Sequence, residues 1–193
     1  MPRKTLIVAP PRSGTTYCSQ WLQHRGYDVG HEQMGEEGMS SWLAAIETEE
    51  SPFGLQPVSC HRGYDIIHVM RDPVKVVSSL EEMLIRMQRD VVGFVRKHCP
   101  IPSTNPRGQA VEFFNEWTAL CETAANRSVR IEDLDGHFDR WFPRKKPSLA
   151  KKPATDLNTR GKVAPLTRSK LVPYCSPSSL AEFNRIRVMY DYI

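Results

Sequence analysis

The sequence predicts a single α/β domain, residues 1–193, with a central parallel sheet flanked by helices. Short apolar runs that read as buried strands alternate with longer segments of helical period, the order produced when parallel strands are joined by crossover helices. Two of these runs, at the start of Thr5–Thr16 and at Ile66–Met70, pass straight into helix-start signals. The length of 193 residues and a hydrophobic content of 40% suit one domain with a sizeable core.

Thr5–Thr16, TLIVAPPRSGTT, reads as a buried strand, a tight loop and a helix. The first turn of a helix has backbone N–H groups without internal partners, and a loop at that point is a natural anion cradle. Gly14 lets a ligand approach the backbone closely. Ser13, Thr15 and Thr16 add hydroxyl donors, and Arg12 adds a planar cation suited to phosphate or sulfate oxygens. The loop is not a Walker A loop, because its basic residue precedes the glycine and no Gly-Lys-Ser/Thr follows.

Tyr27–Gly35, YDVGHEQMG, reads as the next strand leaving the sheet. Gly38–Glu50 reads as a helix with Met39, Trp42, Leu43 and Ile46 on one face. Ile66–Met70 then runs into Arg71, with Asp72 as helix cap and Pro73 at the first helical position. Val76, Val77, Leu80, Met83, Leu84 and Met87 form the apolar face of that helix. His68, inside the apolar strand, reads as a hydrogen-bonded core histidine. Cys99–Arg107 is a Pro-rich loop, followed by a helix from Gln109 to about Ala125 with Phe113, Phe114, Trp117, Leu120 and Cys121 on its buried side. The last helix begins near Ser176-Pro177 and runs to the C-terminus.

Pro143–Lys170 is rich in Pro, Lys and Arg and nearly free of acids. It reads either as a solvated surface loop or as a basic lid over an anionic ligand. The net charge of +4 is mild; it suits a nucleotide ligand and does not argue for nucleic acid. Five scattered cysteines, at positions 18, 60, 99, 121 and 175, show no CxxC spacing and fit free thiols in a reducing compartment. The six histidines have no ligand-like spacing, so no metal is expected. The start MPRKTLIVAPPRSG has no long apolar region, so neither a signal peptide nor a membrane anchor is expected, and the expected location is cytoplasmic.

PRSGTTY resembles the 5′-phosphosulfate loop of sulfotransferases, often PKSGTTW or PRSGTT. That family also carries Arg-x-Pro followed by a Ser eight positions after the Arg, and Arg71 and Ser79 have that separation. VRIEDL at 129–134 resembles the family's Tyr-Glu-Asp-Leu strand end, with Ile131 in place of the Tyr. The resemblance implies a P-loop NTPase-like sulfotransferase fold that binds 3′-phosphoadenosine 5′-phosphosulfate (PAPS) at the strand C-terminal ends and releases adenosine 3′,5′-bisphosphate (PAP). It implies that Arg12, Ser13, Gly14, Thr15 and Thr16 hold the 5′ end of the donor. Arg71 and Ser79 would hold its 3′-phosphate, with Arg160 and Lys162 as candidates from the basic loop. Tyr17 stands where the family often has Trp, and either contacts the adenine or packs in the core.

The expected reaction moves a sulfuryl group to a hydroxyl or amine of a small-molecule or carbohydrate acceptor, without a metal, nucleic acid or membrane partner. Arg12 would stabilise charge on the leaving phosphate. The base is open between Glu32, which matches by order the Glu of tyrosyl-protein and carbohydrate sulfotransferases, and His61, a weak echo of the His of cytosolic members. His31 could orient Glu32 or bind the acceptor. The alternatives are a P-loop nucleotide kinase-like phosphotransferase of the same fold class and, from a different class, a non-catalytic nucleotide-binding protein of the same fold.

Overall fold

The computed structural model describes residues 4–46, 63–145 and 166–192, without the side chains of 87–90 and 168. Five strands form one sheet: β1 (Thr5–Val8), β2 (Val29–His31), β3 (Gly38–Ser40), β4 (Asp65–Met70) and β5 (Arg127–Arg130). Their order is β2-β3-β1-β4-β5, and every pairing is parallel. The helices are α1 (Thr15–His24), α2 (Pro73–His98), α3 (Pro106–Ala124), α4 (Leu134–Trp141) and α5 (Pro177–Met189).

Side-chain alternation along the strands divides the core in two. Leu6 and Val8 of β1 and Ile66 and Met70 of β4 face α2, α3 and α5, where Phe113, Phe114, Trp117 and Phe183 are fully buried. Ile7 and Ala9, with Ile67 and Val69, face α1 and α4 through Trp21, Leu22 and Phe138. Each fully buried aromatic or aliphatic side chain contributes roughly 1.5–3 kcal/mol, which makes the α3 stripe a principal stabiliser of the larger half. The crossover leaving β1 therefore packs on one face and the crossover leaving β4 on the other. Two adjacent strands whose connections diverge leave a crevice at their carboxyl ends, where open α/β sheets bind ligands.

Two helices start with the cap-proline pair read in the sequence, and a third, α3, starts with one at Asn105-Pro106, inside the segment read as a loop and three residues ahead of the expected start at Gln109. Asp72 Oδ1 accepts from Val74 N at 3.0 Å ahead of Pro73. Asn105 Oδ1 accepts from Gly108 N at 2.7 Å ahead of Pro106. Ser176 Oγ accepts from Ser179 N at 3.1 Å ahead of Pro177. The side-chain cap satisfies an orphan donor, and proline brings no N–H that needs one.

The helix expected over Gly38–Glu50 is not formed. Gly38–Ser40 is the strand β3, and Leu43–Ala45 is a single 3-10 turn; residues 47–50 lie outside the described residues. Met39, Leu43 and Ile46 are buried as expected, but a strand followed by a turn buries them. Gly38 decides the matter: its φ is +149°, and a Cβ there would overlap the Thr5 carbonyl. The short strand is held between β1 and β2 on both edges, which outweighs local helical spacing.

His68 is the buried core histidine expected. Its Nδ1 lies 3.1 Å from the Tyr190 hydroxyl, which also meets Glu122 Oε1 at 3.2 Å, while Nε2 is buried without a partner. Burial lowers its pKa from 6.5 to about 3. The unfolded chain takes up this proton near 6.5 and the folded chain only near 3, so the contribution to stability is full above the first value and lost as pH falls toward the second. Urea unfolding across that range should show a slope up to about 1.4 kcal/mol per pH unit steeper for the native chain than for His68→Gln. Equal slopes would place the acid sensitivity elsewhere.

Candidate functional site

The carboxyl ends of all five strands lie on one edge of the sheet, and the described site residues gather there. Pro10–Gly14 links β1 to α1. Two of its residues have backbone angles that the loop imposes: Arg12 at φ +73° and Gly14 at φ +104°. Gly14 is the N-cap of α1, which has no side-chain cap and no acidic residue in its first turn. The first-turn N–H groups of α1 thus lack the cover that Asp72, Asn105 and Ser176 provide elsewhere. Ser13 is fully buried beside them, and its Oγ has no partner.

Arg71, the first residue after β4, reaches back to this loop and donates from a guanidinium nitrogen to the Arg12 carbonyl at 3.3 Å. Arg12 Nε in turn donates to Ser79 Oγ on α2 at 2.8 Å. The sequence assigned these residues to opposite ends of one ligand; in the fold they form a single hydrogen-bonded group spanning the β1–β4 crevice. Arg71 is thus bonded to the loop that leads into an uncapped helix start, Arg12 is part of that loop, and positive charge and free N–H groups both favour an anion.

The β2 end supplies the other wall. His31 Nε2 lies 3.2 Å from Thr15 Oγ1 and 3.1 Å from Thr16 Oγ1. His31 therefore faces the Thr15 and Thr16 hydroxyls at the start of α1 as well as its neighbour Glu32, whose Oε1 is 3.6 Å away. Glu32 itself has φ +56°, rare for a residue with a Cβ and costing of order 1–3 kcal/mol. Its Oε2 accepts from Ser41 Oγ at 2.5 Å. Burial raises the Glu32 pKa, opposed by the hydrogen bonds from Ser41 and the Trp42 backbone. Glu32 is thus a carboxylate partly withdrawn from water, with its pKa raised and one oxygen fixed by Ser41.

Tyr17 packs in the core at 4% exposure, and its hydroxyl donates to Asp135 Oδ1 at 3.4 Å, so the packing role is the one the structure shows. His61, Arg160 and Lys162 lie outside the described residues. Glu132 and Asp133, just past the end of β5, meet Arg130, and Glu132 Oε2 accepts from the Tyr192 hydroxyl at 2.5 Å. Among the described residues, no group of three or more His, Cys, Asp or Glu side chains is placed to hold a metal ion, and no helix is long and apolar enough to cross a membrane.

Sequence reasoning missed Ser40 and Ser41. Ser40 Oγ donates to the Thr15 carbonyl at 2.8 Å, and Ser41 holds Glu32. Their signal was the pair of small hydroxyl residues just after Gly-Met, which the helical reading of that segment concealed. No protein-family model matches the chain, and no curated protein is significantly similar to it.

The loop conformation sets a testable constraint. Gly14→Ala would put a Cβ at a left-handed φ and against the Ile131 side chain. Denaturant unfolding should show a loss of about 1–2 kcal/mol from the backbone alone, with more from the overlap. Pairing it with Ile131→Ala should recover the overlap part only. Full stability in Gly14→Ala would mean the loop relaxes freely.

Proposed function

We propose that the protein is a sulfotransferase that transfers a sulfuryl group from PAPS to a hydroxyl or amine of a small acceptor. The observation that carries this reading is the Arg12–Ser79 hydrogen bond, with Arg71 on the Arg12 carbonyl, at the crevice between β1 and β4. The residues present fit the donor. The start of α1 has no side-chain cap, the Ser13 hydroxyl is buried without a partner, Arg12 belongs to the loop, and the Arg71 guanidinium is bonded to the loop backbone. The donor, when bound, supplies an activated sulfuryl group on a 5′-phosphate.

In this reading Arg12 and the first-turn N–H groups of α1 take the 5′-phosphate end and the charge that develops there. Arg71 and Ser79 take the 3′-phosphate. Glu32, on the β2 side of the loop, accepts the acceptor's proton, and Ser41 keeps it oriented. The basic segment around Arg160 and Lys162 is a candidate cover for the nucleotide. A sulfuryl group carries less negative charge than a terminal phosphoryl group, so guanidinium and backbone donors suffice in principle where phosphoryl transfer uses a divalent cation.

Ligand choice tests the reading. At equal concentration, PAP should raise the melting temperature more than AMP or Mg-ATP, because a ligand that binds only the folded state stabilises it in proportion to ln(1 + [L]/Kd). Arg71→Ala should remove most of the advantage of PAP over AMP, a loss of about 1.5–3 kcal/mol per charge-assisted bond. Strongest stabilisation by Mg-ATP would favour a phosphotransferase instead.

The base is tested once an acceptor has been found by screening alcohols, phenols, amines and sugars with labelled donor. Glu32→Gln should lower turnover by roughly 10²–10⁴-fold and leave nucleotide affinity nearly unchanged. Ser41→Ala removes a bond that lowers the Glu32 pKa, so the acidic limb of the rate profile should move to higher pH. If His61→Asn abolishes turnover while Glu32→Gln retains it, the role passes to His61.

A further inference from the structure

His31 stands in a position that the reading above does not use. A single ring nitrogen, Nε2, lies at hydrogen-bond distance from both Thr15 Oγ1 (3.2 Å) and Thr16 Oγ1 (3.1 Å). The protons at this junction can be placed in three ways: the neutral ring carries its proton on Nδ1 or on Nε2, and the imidazolium carries one on each. When Nε2 carries a lone pair, the hydroxyls donate to it, and their protons point away from a ligand in the loop. When Nε2 is protonated, in the neutral Nε2–H tautomer or in the imidazolium, it donates to the hydroxyls and their protons are free to turn toward an anion; the imidazolium alone adds a positive charge beside that anion.

We propose that anion binding in the loop ahead of α1 is coupled to protonation of His31, whose imidazolium turns the Thr15 and Thr16 hydroxyls into donors for that anion. The groups that face the ring agree with such a switch. From α1 come the two neutral hydroxyls, with no acidic residue in that helix's first turn. From β3 comes Ser40, the register partner of His31. From the turn after β2 comes the Glu32 carboxylate at 3.6 Å, which favours the cation. The ligand-free ring starts neutral, because burial lowers the His31 pKa below 6.5. A phosphate beside it reverses that balance, so binding takes up a proton and, by linkage, a rising pH weakens binding. The same imidazolium stabilises the ionised form of Glu32 against its own burial, so filling the loop prepares the carboxylate that faces the acceptor.

The coupling rests on the loop being a phosphate site and not on sulfuryl transfer itself, and the test separates the two. PAP and inorganic pyrophosphate are each titrated calorimetrically near neutral pH in two buffers of different ionisation enthalpy. The native chain is compared with His31→Gln, whose amide keeps a hydrogen bond to the hydroxyls but does not titrate. The native chain should take up roughly half to one proton more per anion than the variant, and its Kd should weaken more steeply as pH rises, by up to about tenfold over one unit. The ring resonances of His31, assigned by their loss in the variant, should move to the imidazolium position on saturation. They decide the matter in the native chain alone if His31→Gln fails to fold. Equal proton uptake in both chains, or a ring that stays neutral with anion bound, overturns the coupling. Pyrophosphate binding with the extra proton, in a chain that does not bind PAP, would sustain the coupling and refute the sulfotransferase reading. If neither anion binds, both fall.

Discussion

A parallel ladder cannot be closed by a tight turn, so each strand must pass its chain to a crossover that starts at the same edge of the sheet. In this protein all four pairings are parallel. Arg12 after β1, Glu32 after β2, Ser41 after β3, Arg71 after β4 and Ile131 after β5 are thereby brought to one edge from positions far apart in the chain. The site is a consequence of that constraint. Without it, a guanidinium at position 12 and a hydroxyl at position 79 have no reason to meet at 2.8 Å.

Within that edge, electrostatics single out the start of α1. The other long helices cover their first-turn donors with Asp72, Asn105 or Ser176. The start of α1 instead carries Gly14, a buried Ser13 hydroxyl without a partner and the backbone of Arg12, to which Arg71 is bonded. A folded chain keeps such an arrangement at some cost in stability, since uncapped donors and left-handed Arg12 and Glu32 each forgo a more relaxed local solution. Strain of that kind gathers where a ligand completes the structure.

The two halves of the core show why some elements were legible and others were not. The apolar face of α2 and the aromatic stripe of α3 are set by periodicity that local sequence carries, and Val76, Val77, Leu80, Phe113 and Trp117 are buried as that periodicity requires. The cap-proline pairs Asp72-Pro73 and Ser176-Pro177 mark two helix starts for equally local reasons. Gly38–Ser40 obeys a different rule. Met39, Leu43 and Ile46 have helical spacing, but their backbone is claimed by β1 and β2, and a three-residue strand has too little sequence to announce itself. The error mattered, because it hid Ser40 and Ser41 and with them the support of Thr15 and Glu32.

The sequence by itself determined the chemical inventory: an Arg-Ser-Gly-Thr-Thr loop after a buried strand, an Arg and a Ser eight positions apart, and a His-Glu pair at the end of a strand. These are local patterns, and local physics suffices to read them. Which of them meet was decided only by the strand order, which sets β3 between β1 and β2 and places β4 on the other side of β1. That order turned Arg12 onto Ser79 and His31 onto the loop hydroxyls, and it left Tyr17 in the core. Such contacts depend on pairing between segments distant in the chain, and no window of sequence contains the energy of a non-local pairing.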